Sequence, residues 1–261
     1  MIKIRNPPVL NTNRKACWTD RHPFDGLIYH YPTRETKGLY WGAGIFCSLA
    51  CAKRFILMTY DGQYNILKLF ENMTRDVFRV DVTYAAPWPY ILGVFHPDSS
   101  STVTIDQFRA IPSATISSNL MTHKPCVTQR SVGLKGLSEQ SGILCWHDGY
   151  PCPTRPVPIC TKYSHGTFHV MGYFCSLNCA KRYLTDRALS MHPFLTLFSL
   201  LCLLVYRTDP SQVRLANTPY CLGKYSTSNA ISITDFRHGF VYPAPDTQMR
   251  VVYSPIHVQM T

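Results

Sequence analysis

The chain of 261 residues carries little charge, since Asp, Glu, Lys and Arg together make up only 16% of it. It contains no run of 18 or more apolar residues, so we expect no membrane-spanning helix. The N-terminal segment is basic and lacks an apolar core, so we expect no secretory signal. Apolar residues still make up 46% of the chain, which is typical of a core-forming protein and excludes a disordered or coiled-coil chain.

Motifs that read nucleic-acid bases are also missing, since the sequence has neither a helix-turn-helix nor a Cys2His2 finger pattern. The chain has 26 Lys and Arg residues against 15 Asp and Glu, a net charge of +11, and these charges are scattered. Such an excess is common in proteins that meet polyanions. Binding to nucleic acid would therefore rest on phosphate contacts. The candidate residues are Lys3, Arg5, Arg14, Lys15, Lys53, Arg54, Lys181 and Arg182.

The cysteines are the most informative residue type. There are eleven of them, an odd number in a long chain, whereas a secreted disulfide scaffold is usually shorter and has an even number. Several cysteines recur in the same local pattern. The sequence therefore predicts metal binding in a reducing compartment rather than a disulfide framework.

An internal repeat organises the whole chain. The matching segments, separated by 128 residues or, in the third pair, by 130, are Cys17-Trp18 with Cys145-Trp146, Phe46–Arg54 with Phe174–Arg182, Pro89–Gly93 with Pro219–Gly223, and Ile105–Arg109 with Ile233–Arg237. Two copies of a segment of this length predict two modules, because a solenoid needs at least about three shorter repeats.

The repeat sets the expected domain boundaries. We expect an N-terminal arm in residues 1–12, repeat 1 in 13–110, a linker in 111–142, repeat 2 in 143–240 and a C-terminal tail in 241–261. The linker is rich in Ser, Thr and Gly and has no helical periodicity. The expected fold class is α+β, with small zinc-finger-like modules, each a β-hairpin plus helices, in a tandem pseudo-repeat.

The same elements are predicted in both repeats. Alternating aromatic residues predict hairpins within Leu39–Phe46 and Thr167–Phe174. Ser48 and Ser176 are good N-cap residues for the helices that follow. A second helix is predicted over Tyr64–Phe78. Its counterpart over Phe194–Tyr206 is apolar on every face and is therefore expected to be fully buried. Each repeat is expected to end in a short strand or capped turn, at Thr104–Arg109 and Ser232–Arg237.

Three cysteines of each repeat are predicted to meet at a metal site. Cys47 and Cys51 lie across a strand-to-helix junction, and Cys175 and Cys179 repeat this spacing. Their sulfurs would lie near a helix N-terminus, where the partial positive charge favours thiolate, the form that binds metal. The third ligands would be Cys17 and Cys145.

The fourth ligand of each site stays open. Asp20 and Asp148 stand three residues after the first cysteine, and carboxylates bind zinc. The alternates are His22 in the first repeat and His147 or Cys152 in the second. With four protein ligands such a zinc has no open position, so we expect no enzymatic activity.

Several of these residues carry a resemblance to a known family. The pattern Cys-Trp-x-x-x-His-Pro-Phe, followed by Gly-x-Phe-Cys-Ser-x-x-Cys-Ala-Lys, resembles the zinc module of large DNA viruses. It is similar to the poxvirus late-transcription-factor-two family and to the related MYM/FCS-type (TRASH-like) zinc fingers. The matching residues are Cys17, Trp18, His22–Gly26, Gly44, Phe46–Ser48 and Cys51–Lys53. Family members commonly begin with Cys-x-x-Cys, where this chain has Cys-x-x-Asp in both repeats.

The resemblance implies a viral late transcription regulator whose two structural zinc modules bind DNA, the transcription machinery, or both. A second hypothesis is a structural virion protein, a minor capsid or core component that binds other virion proteins. The low charge, the aromatic content of 13% and the scattered basic residues favour it. Either protein would be found in the cytoplasm or nucleus of the host cell, or packaged in the virion.

Overall fold

The computed structural model describes residues 2–4, 10–60, 63–89, 92–95, 103–110, 142–186, 188–226, 230–243 and 250–253. It divides into two compact units. Unit 1 comprises Met1–Leu92, Val103–Thr122 and Tyr220–Ile231, and unit 2 comprises Gly93–Thr102, His123–Pro219 and Ser232–Thr261. Apart from Gly142, the predicted linker lies outside the described residues.

Unit 1 is a small three-stranded sheet with helices. Its elements are β1 (Ile2–Lys3), β2 (Tyr29–Thr36), β3 (Leu39–Phe46), α1 (Leu49–Thr59), α2 (Tyr64–Met73), a π-helical turn (Thr74–Phe78) and α3 (Ile105–Ala110). The strand order is β1-β3-β2, and both pairings are antiparallel. Helices α1 and α2 contact β2.

In unit 2 the hairpin and the helices follow one another in the same order as in unit 1, but the third strand comes last. The elements are β4 (Val157–Ser164), β5 (Thr167–Phe174), α4 (Leu177–Asp186), α5 (Ala188–Leu204), α6 (Ile233–Phe236) and β6 (Arg250–Tyr253). Strands β4 and β5 are antiparallel, and β6 adds to β5 in parallel. The fold is thus mixed α/β, with one antiparallel hairpin and accompanying helices in each unit.

Both hairpins close through the same turn. Lys37 and Gly38 have φ of 54° and 74°, and their counterparts His165 and Gly166 have 49° and 72°. Two residues with positive φ make a type I′ turn, whose twist matches that of the flanking strands. The shifts in strand register also fall at equivalent positions in the two hairpins. The sequence repeat is therefore a structural repeat as well.

The predicted serine caps are confirmed. The Ser48 hydroxyl accepts a hydrogen bond from the backbone of Cys51 at 3.1 Å, and Ser176 does so from Cys179 at 3.2 Å. Each cap satisfies a free N–H of the first helical turn. It also fixes the second cysteine of each pair at the start of its helix.

Aromatic side chains form equivalent cores in the two units. In unit 1, Trp18 packs against Phe46 and Phe55 with ring centroids 6.0 and 5.7 Å apart. In unit 2, Trp146 packs against Phe174 at 6.1 Å and Tyr183 at 6.3 Å. These edge-to-face and tilted contacts lie directly behind the cysteine-bearing loops, which they hold against the hairpins.

Three expectations from the sequence need correction. Leu39–Phe46 and Thr167–Phe174 are single strands, because each pairs with the strand before it. The apolar segment is helix α5, but it is not fully buried: it packs on α4 and β4, and Leu203 is 49% exposed. The predicted tail contributes strand β6. At Thr104–Arg109 and Ser232–Arg237, where the sequence predicts either a short strand or a capped turn, the structure has the short capped helices α3 and α6.

Among the residues that the structure describes, no helix combines the length and apolar character needed to cross a bilayer.

The glycine that ends each hairpin gives a test of the packing behind the cysteines. Gly172 has φ +75°, and a Cβ there would lie 2.7 Å from the Phe174 ring and 3.1 Å from Trp146. We expect Gly172→Ala to lower the free energy of unfolding by about 2–4 kcal/mol, from backbone strain and overpacking. Gly166→Ala is the matched control, because its φ is +72° with open space around it, and it should cost about 1–2 kcal/mol. Equal losses in denaturant unfolding would contradict this packing.

Candidate metal centres

The structure brings together four potential ligands in each unit. Within each group, every residue offers one ligand atom, and these atoms all lie within 4.8 Å of one another. The groups are Cys17, Asp20, Cys47 and Cys51 in unit 1, and Cys145, Asp148, Cys175 and Cys179 in unit 2. The six cysteines of these two groups are free thiols. The two clusters are therefore able to hold a metal ion.

Local structure explains how each cluster forms. The first cysteine and the aspartate lie in a tight turn, in which the backbone of Arg21 donates to the Cys17 carbonyl at 2.9 Å. The same turn in unit 2 is closed by Gly149 and Cys145 at 2.8 Å. The other two cysteines come from the end of the hairpin and the first turn of the capped helix. Residues far apart in the sequence thus converge on one point.

The distances between donor atoms fit a tetrahedral zinc ion. Zn–S bonds of about 2.3 Å and Zn–O bonds of about 2.0 Å place tetrahedral ligands about 3.8 Å apart for two sulfurs and about 3.5 Å apart for sulfur and oxygen. The Sγ atoms of Cys47 and Cys51 are 3.6 Å apart, and those of Cys175 and Cys179 are 3.5 Å apart. Oδ2 of Asp148 lies 3.3 and 3.8 Å from the latter two sulfurs.

Each aspartate is held by an arginine that the sequence analysis did not identify as a site residue. Arg109 forms a two-pronged ion pair with Asp20, at 3.0 and 3.1 Å. Arg237 repeats it with Asp148, with both distances 3.0 Å. Both aspartate side chains are completely buried. The signal was available in the sequence, because the two arginines are 128 residues apart, like the two aspartates.

The two oxygens of each aspartate carboxylate have different surroundings. Oδ1 of Asp148 accepts the backbone N–H of Tyr150 and one N–H of Arg237, whereas Oδ2 accepts an N–H of Arg237 and faces the sulfurs. Oδ1 of Asp20 likewise accepts the backbone N–H of His22 as well as Arg109. Oδ2 thus faces the sulfurs of the cluster, and the arginine fixes its orientation.

The alternate ligands lie outside both groups of ligand atoms. The His22 ring is hydrogen-bonded to the backbone carbonyl of Asp20 at 2.6 Å. The His147 ring is hydrogen-bonded to the carbonyl of Asn217 at 2.9 Å. Cys152 is buried, and its backbone N–H donates to Ile143. The geometry therefore favours aspartate as the fourth ligand in both units.

Burial changes the expected protonation of the metal-free clusters. It raises the pKa of the Cys17 thiol, and those of Cys175 and Cys179, well above the ordinary value. It also raises the pKa of Asp148 to about 7, with a further contribution from the charge of Cys145. Burial acts in the same direction on Cys145, but hydrogen bonds from Cys175 and Cys179 outweigh it and hold the pKa of Cys145 low. These shifts favour a thiolate at Cys145 and thiols at Cys175 and Cys179 in the metal-free second cluster.

The two clusters differ in how they are covered. Cys175 is fully buried, and Val241 lies over the start of α4, where its backbone N–H donates to Asn178 Oδ1 at 2.7 Å. The residue equivalent to Asn178 is Ala50, which lacks this acceptor. In unit 1 a groove of about 370 Å³ reaches the half-buried Cys47. Its lining includes Phe24, Cys51, Tyr84, Phe108 and Arg109.

The basic residues proposed for phosphate contact on α1 and α4 are hydrogen-bonded within their own units. Lys53 donates to the Val82 carbonyl at 2.7 Å, and Arg54 donates to Ala86. Lys181 donates to the carbonyls of Pro210 and Val213 at 2.8 and 2.7 Å, and Arg182 to Ala216 at 3.3 Å. These side chains fasten the loop that follows the second helix of each unit.

The N-terminal basic residues are placed differently from one another. Lys15 donates to the carbonyl of Gly223 at 2.7 Å. Arg14 pairs with Asp25 at 3.1 Å, and both side chains are at least 70% exposed. Arg5 and the side chain of Lys3 lie outside the described residues. Of the eight candidates, Arg14 is thus the described residue most accessible to a partner.

The unequal covering predicts an order of metal loss. With a strong chelator, we expect the first centre to release zinc faster than the second, because the groove gives access to Cys47 while Cys175 is buried. Release followed with a chromogenic chelator should show two phases. Asp148→Ala should retain only the fast phase and Asp20→Ala only the slow one. A single phase in the unmodified protein, or the reverse assignment, would contradict the structure.

The raised thiol pKa values predict proton release on metal binding. Because burial raises the pKa of Cys175 and Cys179 well above the ordinary value, loading the second centre near pH 7 should release at least about two protons. Apparent zinc affinity should therefore fall as the pH is lowered. Titration of zinc into weakly buffered Asp20→Ala protein, with a pH indicator, counts the protons. A release close to zero would show that the thiolates are already formed.

Comparison of the chain with protein-family models, with curated proteins and with solved structures finds no match.

Proposed function

We propose that each cluster holds one zinc ion and that both zinc centres are structural. The observation that carries the proposal is the donor set: three thiols and one arginine-aligned carboxylate oxygen, at separations suited to tetrahedral zinc. Three thiolates and one carboxylate leave a zinc centre with a net charge of −2. The neighbouring Arg109 or Arg237 offsets half of this charge inside a buried site.

In this proposal the ion ties together parts of the chain that are distant in sequence. It joins the turn at Cys17 to the junction between β3 and α1, and likewise the turn at Cys145 to the junction between β5 and α4. With four protein ligands it offers no open position for a substrate, so the role is not catalytic. Metal binding then contributes directly to the free energy of folding.

The metal proposal is tested by counting zinc. We expect two zinc ions per chain by elemental analysis, and one in Asp148→Ala, because that substitution removes a ligand and leaves Arg237 without its partner. Arg237→Lys should keep the ligand but weaken zinc affinity by about 10–100-fold, since the two-pronged contact is lost. Arg75→Lys is the control, because its ion pair with Asp81 is exposed. A folded protein that contains no zinc would contradict the proposal.

We further propose that the protein regulates late transcription in a large DNA virus and acts by binding the transcription machinery. The support is the resemblance of its Cys-Trp and Phe-Cys-Ser-x-x-Cys segments to the poxvirus late-transcription-factor-two family. The hydrogen bonding of Lys53, Lys181 and Arg182 within their own units favours contacts with protein over direct contacts with DNA.

The experiment is depletion of the protein in infected cells, with transcripts measured over time. Late transcripts should fall while early transcripts and genome copy number stay unchanged, and the tagged protein should co-purify with polymerase subunits. Unchanged late transcripts would contradict the regulatory role. Duplex binding in vitro at about 50 mM salt, weakening with a log–log slope near −0.9 per phosphate, would instead indicate direct DNA contact.

A second candidate function, a structural component of the virion, is favoured by the outer face of α5. Phe70 and Met73 of α2 and their counterparts Phe198 and Leu201 of α5 are all buried, so the two helices can be aligned on them. In this alignment, polar residues of unit 1 correspond to leucines of unit 2. The pairs are Asn72 with Leu200, Arg75 with Leu203 and Asp76 with Leu204. An apolar surface of this kind is typical of protein assembly. Its test is abundance in purified particles, where copy numbers comparable to the capsid protein would favour this role.

A further inference from the structure

The compact units do not coincide with the sequence repeats. Unit 1 is built mainly from repeat 1 but includes Tyr220–Ile231, which belongs to repeat 2. Unit 2 is built mainly from repeat 2 but includes Gly93–Thr102, which belongs to repeat 1. Each unit therefore contains a piece of the opposite repeat.

In unit 1 the foreign segment is bound at the turn that carries the first metal ligand. The backbone N–H of Ala16 donates to the carbonyl of Lys224 at 2.8 Å, and the indole N–H of Trp18 donates to the carbonyl of Tyr225 at 2.9 Å. The Trp18 ring also stacks on Tyr220, with centroids 4.0 Å apart and an interplanar angle of 14°. Tyr225 is completely buried.

In unit 2 the same two bonds are made by the equivalent residues. The backbone N–H of Leu144 donates to the carbonyl of Val94 at 3.0 Å, and the indole N–H of Trp146 donates to the carbonyl of Phe95 at 3.2 Å. Phe95, like Tyr225, is completely buried.

Both the donor residues and the acceptor residues of the two contacts occupy equivalent positions in the sequence repeat. Ala16 and Trp18 correspond to Leu144 and Trp146 at the offset of 128, and Lys224 and Tyr225 correspond to Val94 and Phe95 at the offset of 130. An accidental crossing of the chain would not produce the same donors, acceptors and buried ring twice. The pattern is that of a reciprocal exchange, in which each repeat donates a segment to the other repeat and binds the equivalent segment of that repeat.

We propose that the surface formed by residues 16–18, and its copy at residues 144–146, is a docking site for the two residues that follow the Pro-Tyr-x-Leu-Gly segment of another repeat of the same type. Its partner in this protein is the opposite half of the same chain. Neither half is complete alone, so the two halves form an obligate pair. The contacts include no metal-ligand atom, and the proposal is therefore independent of zinc.

Because of the exchange, the backbone of each metal-binding turn is held by hydrogen bonds to the other repeat. Ala16 and Trp18 flank Cys17, and Leu144 and Trp146 flank Cys145. The hydrogen bonds from these neighbours hold the backbone on both sides of the cysteine. In unit 2 the turn that bears the first cysteine and the aspartate is thus braced by a segment about 50 residues before it in the sequence, and in unit 1 by a segment about 200 residues after it.

Tryptophan signals distinguish this exchange from two self-contained repeats. The full zinc-loaded chain has four tryptophans, and their indole N–H resonances can be assigned with single Trp→Phe variants. Tyr225→Leu should shift the Trp18 indole signal and leave that of Trp146 unchanged, and Phe95→Leu should do the reverse. Self-contained repeats would give the opposite pairing, with Phe95→Leu shifting Trp18, and that result would overturn the proposal. Tyr163→Leu, at a partly exposed ring in the β4–β5 hairpin, is the control and should shift neither signal.

Cleavage and cross-linking test the pairing of the halves in the same protein. With a specific protease site inserted in the predicted linker, the cut chain should elute from size-exclusion chromatography at the volume of the uncut chain. A short amine-reactive cross-linker should join Lys15 to Lys224, because the Lys15 ammonium contacts the carbonyl of Gly223. The link should covalently rejoin the halves at high dilution. Halves that separate after cleavage, or the absence of this link, would overturn the proposal.

Discussion

The buried pairing of one aspartate with one arginine is the interaction on which each unit depends. The Asp20 and Asp148 side chains are fully buried, and an unpaired carboxylate there would be strongly destabilising. The arginine comes from a short helix nearly 90 residues later and also bonds the carbonyls that follow the aspartate. One side chain thus closes the unit, neutralises the carboxylate and points its second oxygen at the three sulfurs. This explains how aspartate can occupy the position of the fourth ligand.

Duplication kept this arrangement and changed its surroundings. The cap, the hairpin turn, the strand irregularities and the tryptophan contacts are the same in both units, because each fixes the position of a cluster residue. The outer surfaces are free of that constraint and have diverged. Asn178 holds Val241 over the second cluster, whereas the equivalent residue of the first repeat, Ala50, has no side-chain acceptor. Helix α5 carries leucines where α2 carries polar residues. The chain therefore combines one covered and one accessible centre on a common framework.

The basic residues of α1 and α4 suggest a polyanionic partner from composition alone, but in the structure they bind nearby loops. A net charge of +11 favours a polyanionic partner. Yet the Lys-Arg pairs on α1 and α4 donate their hydrogen bonds to backbone carbonyls of nearby loops. Long cationic side chains can bury their stems and satisfy carbonyls that no helix or strand would otherwise pair. Their duplication is then accounted for by duplication of the loops.

Sequence alone determined the tandem repeat, the capped helices and the six cysteines that converge, because spacing and local hydrogen bonding are encoded in nearby residues. It did not determine the partner strand of Leu39–Phe46, since pairing depends on a segment whose alternation is broken by register shifts. It also left the fourth ligand open, because only the tertiary structure brings Arg109 and Arg237 to the aspartates. The exchange of segments between repeats was equally hidden, because similar repeats carry similar docking sites, and local sequence cannot specify which copy fills them. That choice is made by the path of the folded chain.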